Sequence, residues 1–527
     1  MMILSMARIV QAVRAGGEKP VLLPEGGLFA VPAGAALPLV PSSTQRESGT
    51  TVPQALAQRE YAPPSAADPA DFTAAELLAA YRAKRLSPVE AMQAVLARVE
   101  RCEPKIRALY ALDPERALAE ARASEARWAK HKVLPLDGVP ATIKDNVATK
   151  GTPVPLGTAA RPLEPAPEDA PPAARLREAG AVVFAKTTMP DYGMLSSGLS
   201  SFHPLTCNPW DLAKNPGGSS AGAGAAAAAG YGPLHLGTDI GGSIRLPAGW
   251  CGVFGLKPSL GRVPIDPPYY GRVAGPMTRT VTDAALMMRE LSRSDDRDVM
   301  SLPPQEIPWL DLDLPRPMRT LRIGLLLDAG IGMPVEEEVE AAVLRAAKRF
   351  QNRGAKLDAV EPFLTRDMMA GLDRFWRQRA WADISALPPE RQDKVLPYIR
   401  TWAEGGSRLS GRKVYDGMSQ MLAIKTAAIA ATKRFDYVLS PVAPVPAFPA
   451  ELASPLDDPA RPFEHIAFTV PFNFSEQPAA SINAGYTAAG LPIGLQIVGR
   501  RFDDLGVMRM ARAFEDMRGP QRAWPTF

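Results

Sequence analysis

Between Gly217 and Arg245 the chain is built largely from glycine, alanine and hydroxyl residues. The run reads Gly217-Gly218-Ser219-Ser220, an Ala/Gly tract, then Gly237-Thr238-Asp239-Ile240-Gly241-Gly242-Ser243-Ile244-Arg245. Glycine lets backbone amides approach a ligand and adopt positive φ, yet each glycine costs conformational entropy on folding. A cluster this dense, carrying three serines, therefore asks for a site where backbones close on each other or on a ligand.

The chain has 527 residues, enough for one large α/β unit or two to three average domains. Hydrophobic content of 46%, 22% charged residues and a net charge of +4 suit a globular protein with a weak overall field. No nucleic-acid partner is implied. Cys102, Cys207 and Cys251 are far apart and show no zinc spacing, which fits a reducing, cytoplasmic setting. The apolar tract Ala223 to Ala229 falls well short of the roughly 20 residues that span a bilayer, so no membrane anchor is expected. Residues 1–70, rich in Pro, Ala and Gly, read as a poorly ordered or irregular extension. Prolines with Glu18, Lys19 and Glu25 interrupt their apolar runs, unlike a secretory signal.

Thr73-Ala74-Ala75-Glu76 and Ser87-Pro88-Val89-Glu90 are capping boxes, the second with proline at the first helical position, and they predict two amphipathic helices. Val139 to Ile143 and Ala181 to Ala185 are short apolar runs of the kind found in buried strands, ending at Lys144 and Lys186. Open α/β sheets bind ligands beyond such carboxyl ends. Leu321 to Leu327, a helix over Val335 to Phe350 and Ala355 to Val360 form a βαβ unit. A mostly helical stretch over 367–432, broken at Leu387-Pro388-Pro389 and Gly405-Gly406, reads as a peripheral insertion. Strands return at Phe435 to Pro441 and Ile493 to Gly499.

The Gly/Ser cluster admits three chemistries. Gly222-Ala223-Gly224-Ala225-Ala226-Ala227 satisfies a dinucleotide fingerprint, but the polar, turn-forming Lys214 to Ser220 precedes it where a strand belongs. Close helix packing by small residues is the plainer account. Gly218-Ser219-Ser220-Ala221-Gly222 satisfies the hydrolase elbow around Ser220, which then needs a downstream acid and histidine. Only His235 and His465 follow, and neither lies in a segment like a catalytic loop. The third uses Lys144, Ser219 and Ser243. A lysine kept neutral by desolvation or nearby cations can serve as base for a serine, with a second serine bridging them. Backbone N–H groups of Ile240, Gly241 and Gly242 would then serve as the oxyanion hole.

Three segments carry a resemblance: Pro216 to Gly222, Gly237 to Ala248 and Cys251-Gly252-Val253-Phe254-Gly255-Leu256-Lys257-Pro258-Ser259. With Gly138 to Asn146 and Leu491 to Gln496, they resemble the amidase signature family from about Asp71 to Glu515. Ala221 and Ala223 depart from its commoner small residues. The resemblance implies an α/β fold: a single large domain over 71–527 with a central mixed β-sheet flanked by helices, plus the peripheral helical insertion. It implies Ser243 as nucleophile, Ser219 as bridging serine after a cis peptide bond, and Lys144 as base. Ser220, Asp239 and Arg245 read as supporting residues, the last two as a buried pair fastening the serine turn. Tyr192 and Gly193 would line the acyl pocket, and Tyr269 and Tyr270 could border it.

The implied activity is hydrolysis of a carboxamide C–N bond through a serine acyl-enzyme, on a small-molecule amide, with no cofactor and no metal and with room for a homodimer. Alternatives are an esterase or carbamate hydrolase on the same triad, and an amidotransferase subunit of an aminoacyl-tRNA amidation complex. The helical insertion and extra N-terminus count against that compact subunit type.

Overall fold

Both capping boxes form. Thr73 Oγ1 accepts the Glu76 N–H at 3.1 Å while the Glu76 carboxylate accepts the Thr73 N–H at 2.8 Å, opening the helix Ala74–Arg82. Ser87 and Glu90 repeat the exchange at 3.2 and 2.8 Å ahead of Pro88–Ile106. The apolar faces so started bury Leu77, Leu78 and Tyr81 from the first helix, and Met92, Val95 and Val99 from the second. The computed structural model describes residues 18–22, 28–32, 67–519 and 521–526.

The chain divides into two units, Met1–Gln58 and Arg59–Phe527. In the first, β1 (Glu18–Leu22) pairs antiparallel with β2 (Leu28–Pro32), with Glu18 opposite Pro32. The rest of residues 1–66, on which the expectation of an irregular extension bears, lies outside the described residues.

The second unit is an α/β structure around one mixed sheet of eleven strands. In chain order these are β3 (Leu109–Tyr110), β4 (Pro140–Lys144), β5 (Val182–Thr187), β6 (Leu234–Asp239), β7 (Phe254–Lys257) and β8 (Val273–Thr278), then β9 (Arg322–Leu325), β10 (Lys356–Ala359), β11 (Tyr437–Pro441), β12 (Ala479–Tyr486) and β13 (Pro492–Val498). Across the sheet they run β10-β9-β11-β13-β12-β7-β8-β6-β4-β5-β3. Pairing is parallel within β10-β9-β11 and within β6-β4-β5, and antiparallel through the centre and at β3.

Six of these strands fall on the apolar runs read from the sequence: β4, β5, β9, β10, β11 and β13. The central strands β6, β7, β8 and β12 do not, because Gly237, Gly255, Gly275, Pro276 and Gly485 interrupt their apolar pattern. Tertiary closeness explains part of this: a Cβ on Gly255 would meet the Ala248 side chain at 2.8 Å.

The helical stretch after β10 forms Arg366–Ser385, Pro389–Gln392, Pro397–Glu404 and Gly411–Thr432, with its breaks at the expected prolines and glycines. Its side chains do not stay peripheral. Trp376, Ile384, Ile399, Trp402 and Ile424 join one buried cluster with Leu246 and Trp250 from beside the serine turn. Among the described residues no helix is long and apolar enough to cross a membrane.

Because the Ser87 hydroxyl satisfies an amide that the first helical turn cannot, Ser87→Ala should lower the unfolding free energy by about 1 kcal/mol. Urea denaturation followed by circular dichroism checks this.

Candidate active site

β4 lies between β5 and β6 in parallel register, so its last residue, Lys144, emerges at the carboxyl edge of a buried part of the sheet. The side chain is fully buried. Its Nζ donates to Ser219 Oγ at 2.8 Å and to Thr238 Oγ1 at 3.0 Å. Burial pushes the Lys144 ammonium down to about 7, against the opposing pull of Asp239 and Asp145. An amine so placed is substantially neutral near pH 7 and can accept a proton. Lys186, also near a strand end, does something else: its Nζ is tied to the carbonyls of Asp145 and Val147.

Ser219 is presented by a tight loop. The Gly218–Ser219 peptide is cis, Gly217 has φ +83°, and a Cβ on Gly218 would meet the Ser197 amide nitrogen at 2.5 Å. The next residue turns inward: Ser220 Oγ donates to the Thr238 carbonyl at 3.1 Å and accepts the Thr238 N–H at 3.2 Å. Its own N–H donates to the Ser243 carbonyl at 3.1 Å, so Ser220 stitches the two serine segments together. The helix Ala221–Ala229 starts there, every residue buried, and it follows a long loop rather than a strand. That removes the dinucleotide geometry.

The second serine segment is a turn between β6 and the helix Arg245–Cys251, wound around the Asp239 carboxylate. That group accepts the N–H of Gly242 at 2.8 Å and of Ile244 at 3.0 Å, two Arg245 guanidinium bonds at 3.0 Å, and the Asn473 side-chain amide at 2.9 Å. Burial alone would raise the Asp239 pKa, but the Arg245 charge and these donors hold it far below the ordinary carboxylate range. Arg245 in turn reaches the Thr469 carbonyl, Gln496 and Asn473 at 2.8, 2.7 and 2.6 Å. Asp239 and Arg245 thus form the buried pair expected of them.

Of the three amides expected to form an oxyanion hole, that of Gly242 is already bonded elsewhere. Its N–H, named above as a third donor, is consumed by Asp239, and Gly242 does not line the cavity into which Ser243 opens. Ile240 and Gly241 do line it. With its open mouth the cavity encloses about 800 Å³, and Ser219, Ser243, Tyr192 and Gly193 share its wall. A Cβ on Gly193 would stand 3.2 Å from Ser219 Oγ, which favours glycine at that wall position.

Tyr269 and Tyr270 lie off the wall. Tyr269 sits under the Arg379 guanidinium, 4.4 Å from ring centre to Cζ, and the Tyr270 hydroxyl donates to the Phe474 carbonyl at 3.1 Å. The two downstream histidines are also elsewhere. His235 bonds Thr142 Oγ1 at 2.8 Å and the Gly232 carbonyl at 2.9 Å, and burial lowers its pKa to about 4. His465 is buried and lowered to about 3. Neither lines the cavity, so the elbow chemistry of Ser220 has no histidine base.

Residues that sequence reasoning gave no role also stand on this wall: Asn146, Thr238, Arg272, Trp376, Arg379 and Phe463. Asn146 and Thr238 lie inside motifs already noted and meet each other at 3.1 Å. Trp376 and Arg379 carry no local signal, being two residues of an ordinary amphipathic helix.

Residues 90–508 match the family described as Amidase. The chain belongs to the amidase signature family. A glutamyl-tRNA(Gln) amidotransferase subunit of Geobacter metallireducens is 34% identical over 490 residues, covering 86% of this chain and 98% of that protein. A bacterial aryl acylamidase of the amidase signature family superposes with TM-score 0.78 at 29% identity, over 85% of this chain and 96% of its own. The corresponding glutamyl-tRNA(Gln) amidotransferase subunit of Thermotoga maritima gives TM-score 0.68 at 26% identity, over 86% and 96%. The family match runs through the helical stretch 367–432, and the Geobacter protein is covered almost end to end. The insertion therefore does not set this amidase-family chain apart from that subunit type, contrary to expectation.

Replacing Arg245 by methionine would leave Asp239 charged, buried and short of two donors. Arg245→Met should cost about 3–5 kcal/mol of stability, read as a lowered midpoint in thermal unfolding at pH 7. Because the folded Asp239 pKa is depressed, the pair's contribution is present above the unfolded carboxylate pKa. It is lost only as pH falls through the lower folded value.

Proposed function

We propose that this chain cleaves a carboxamide C–N bond through an acyl-enzyme on Ser243. The observation carrying the proposal is a buried amine, Lys144 Nζ, 2.8 Å from Ser219 Oγ, at a cavity that Ser219 shares with Ser243. Ser243 Oγ bonds to the substrate carbonyl carbon as its proton passes to Ser219 and the Ser219 proton to neutral Lys144. The N–H groups of Ile240 and Gly241 donate to the oxyanion. On collapse the C–N bond breaks, the relay returns the proton to the leaving nitrogen, and ammonia or an amine departs. Water then hydrolyses the ester by the same relay and frees the carboxylic acid. Ester or carbamate substrates would use the same steps with a different leaving group.

A second reading concerns the fate of the ammonia. The shared name of the curated relatives, at 32–35% identity, favours a subunit that passes ammonia from an amide donor to glutamyl-tRNA held by protein partners. This reading keeps the Ser243 chemistry and replaces the free-standing enzyme with a complex, thereby admitting a nucleic-acid partner that net charge did not suggest. Purified alone, a free-standing amidase releases ammonia from its substrate at full rate. An amidotransferase component instead requires its protein partners and charged tRNA, and a coupled ammonia assay with and without them decides between the two.

Labelling by a fluorophosphonate probe should vanish in Ser243→Ala and persist when all four histidines are replaced. Lys144→Ala should slow acylation by about 10²- to 10⁴-fold without unfolding the protein; unchanged turnover would sink the assignment. Since Lys144 works as a base and its pKa is lowered to about 7, kcat/KM should rise with pH through that value and level off above it.

A further inference from the structure

The cavity wall holds two guanidinium groups that no step above uses. Arg272 precedes β8, and Arg379 comes from the helix Arg366–Ser385. Among the described residues neither forms an ion pair. Arg272 donates to the Pro267 carbonyl, and Arg379 lies over the Tyr269 ring. Elsewhere the chain neutralises its enclosed arginines: Arg245 with Asp239, Arg262 with Asp504 and, two residues before Arg379 on the same helix, Arg377 with Asp373.

Among the described residues no Asp or Glu stands on the cavity wall. The two charges act on each other instead. The Arg272 pKa is drawn down to about 10, first by burial and then by the Arg379 charge, with Tyr269, Asp298 and Asp266 offsetting only part of it. Two like charges left facing one enclosed space form a site for an anion, and guanidinium matches a carboxylate in planar, two-bond geometry. The same wall also carries apolar side chains, Met194, Trp376, Phe463 and Ile466.

We propose that the cavity takes amides whose acyl chain also carries a carboxylate, held by Arg272 and Arg379 while methylenes lie along the apolar wall. This rests on the Ser243 reading for the reaction but not for the binding. Because the wall offers no acidic partner for an ammonium group, a monoamide of a dicarboxylic acid fits it better than an α-amino acid amide such as glutamine.

The test separates binding from chemistry. Glutarate titrated calorimetrically into Ser243→Ala protein should bind, with affinity falling by about ten- to a hundredfold when Arg379→Gln is added and by less with Arg379→Lys, which keeps the charge but loses the two-bond fork. In the unsubstituted enzyme, kcat/KM should rank glutaramate above glutamine and both above neutral pentanamide, with the first-to-last ratio about tenfold or more. Glutarate binding indifferent to Arg379, or pentanamide cleaved as well as glutaramate, would overturn the proposal. Glutamine preferred over glutaramate would overturn the dicarboxylate assignment. Arginine-dependent glutarate binding without turnover of any amide would support the anion site and count against Ser243 as nucleophile.

Discussion

The buried Asp239 carboxylate organises the site. It is excluded from water and therefore must be surrounded by donors, and the donors available are the amides of the turn that follows it, the Arg245 guanidinium and Asn473. Satisfying one charge thus shapes residues 240–245, sets the start of the helix Arg245–Cys251, and ties both through Arg245 to Thr469 and Gln496 on distant segments. The position of Ser243 is a consequence of that arrangement. So is the loss of Gly242 as a free donor, since an amide that holds a carboxylate cannot also hold an oxyanion.

Lys144 is governed by the opposite electrostatic balance. Its burial is not matched by a contacting carboxylate; its near partners are hydroxyls and a carbonyl, so the neutral form gains. Within one site a carboxylate is held charged and an amine is shifted toward its neutral form, and the difference lies in what each one touches. Ser219 and Thr238, both of which Lys144 touches, come from the two serine segments that Ser220 joins, so the amine, the loop and the turn are bound into one unit.

Much of this was legible in local pattern. Capping boxes announced both N-terminal helices, and apolar runs announced six of the strands, including the one that delivers Lys144. The glycine-rich central strands were illegible because they are defined by what packs against them, with Gly255 fitted to Ala248 rather than to any alternation of its own. In the site, Lys144, Ser219 and Ser243 stood out within dense motifs, while Asn146 and Thr238 inside the same motifs did not. Arg272, in a loop before β8, and Trp376 and Arg379, on one helix, had no motif at all, and neither a loop position nor a helix periodicity says which cavity a side chain closes.

The sequence by itself determined the family, the identity of the hydroxyl and amine groups, and the starts of the capped helices, because short motifs and capping hydroxyls act over a few positions. Tertiary structure alone decided that Lys144 meets Ser219, that Asp239 claims the Gly242 amide, and that two arginines without carboxylate partners share a cavity with the serines. Those outcomes depend on burial and on which charges share a space, and both are properties of segments brought together from distant parts of the chain.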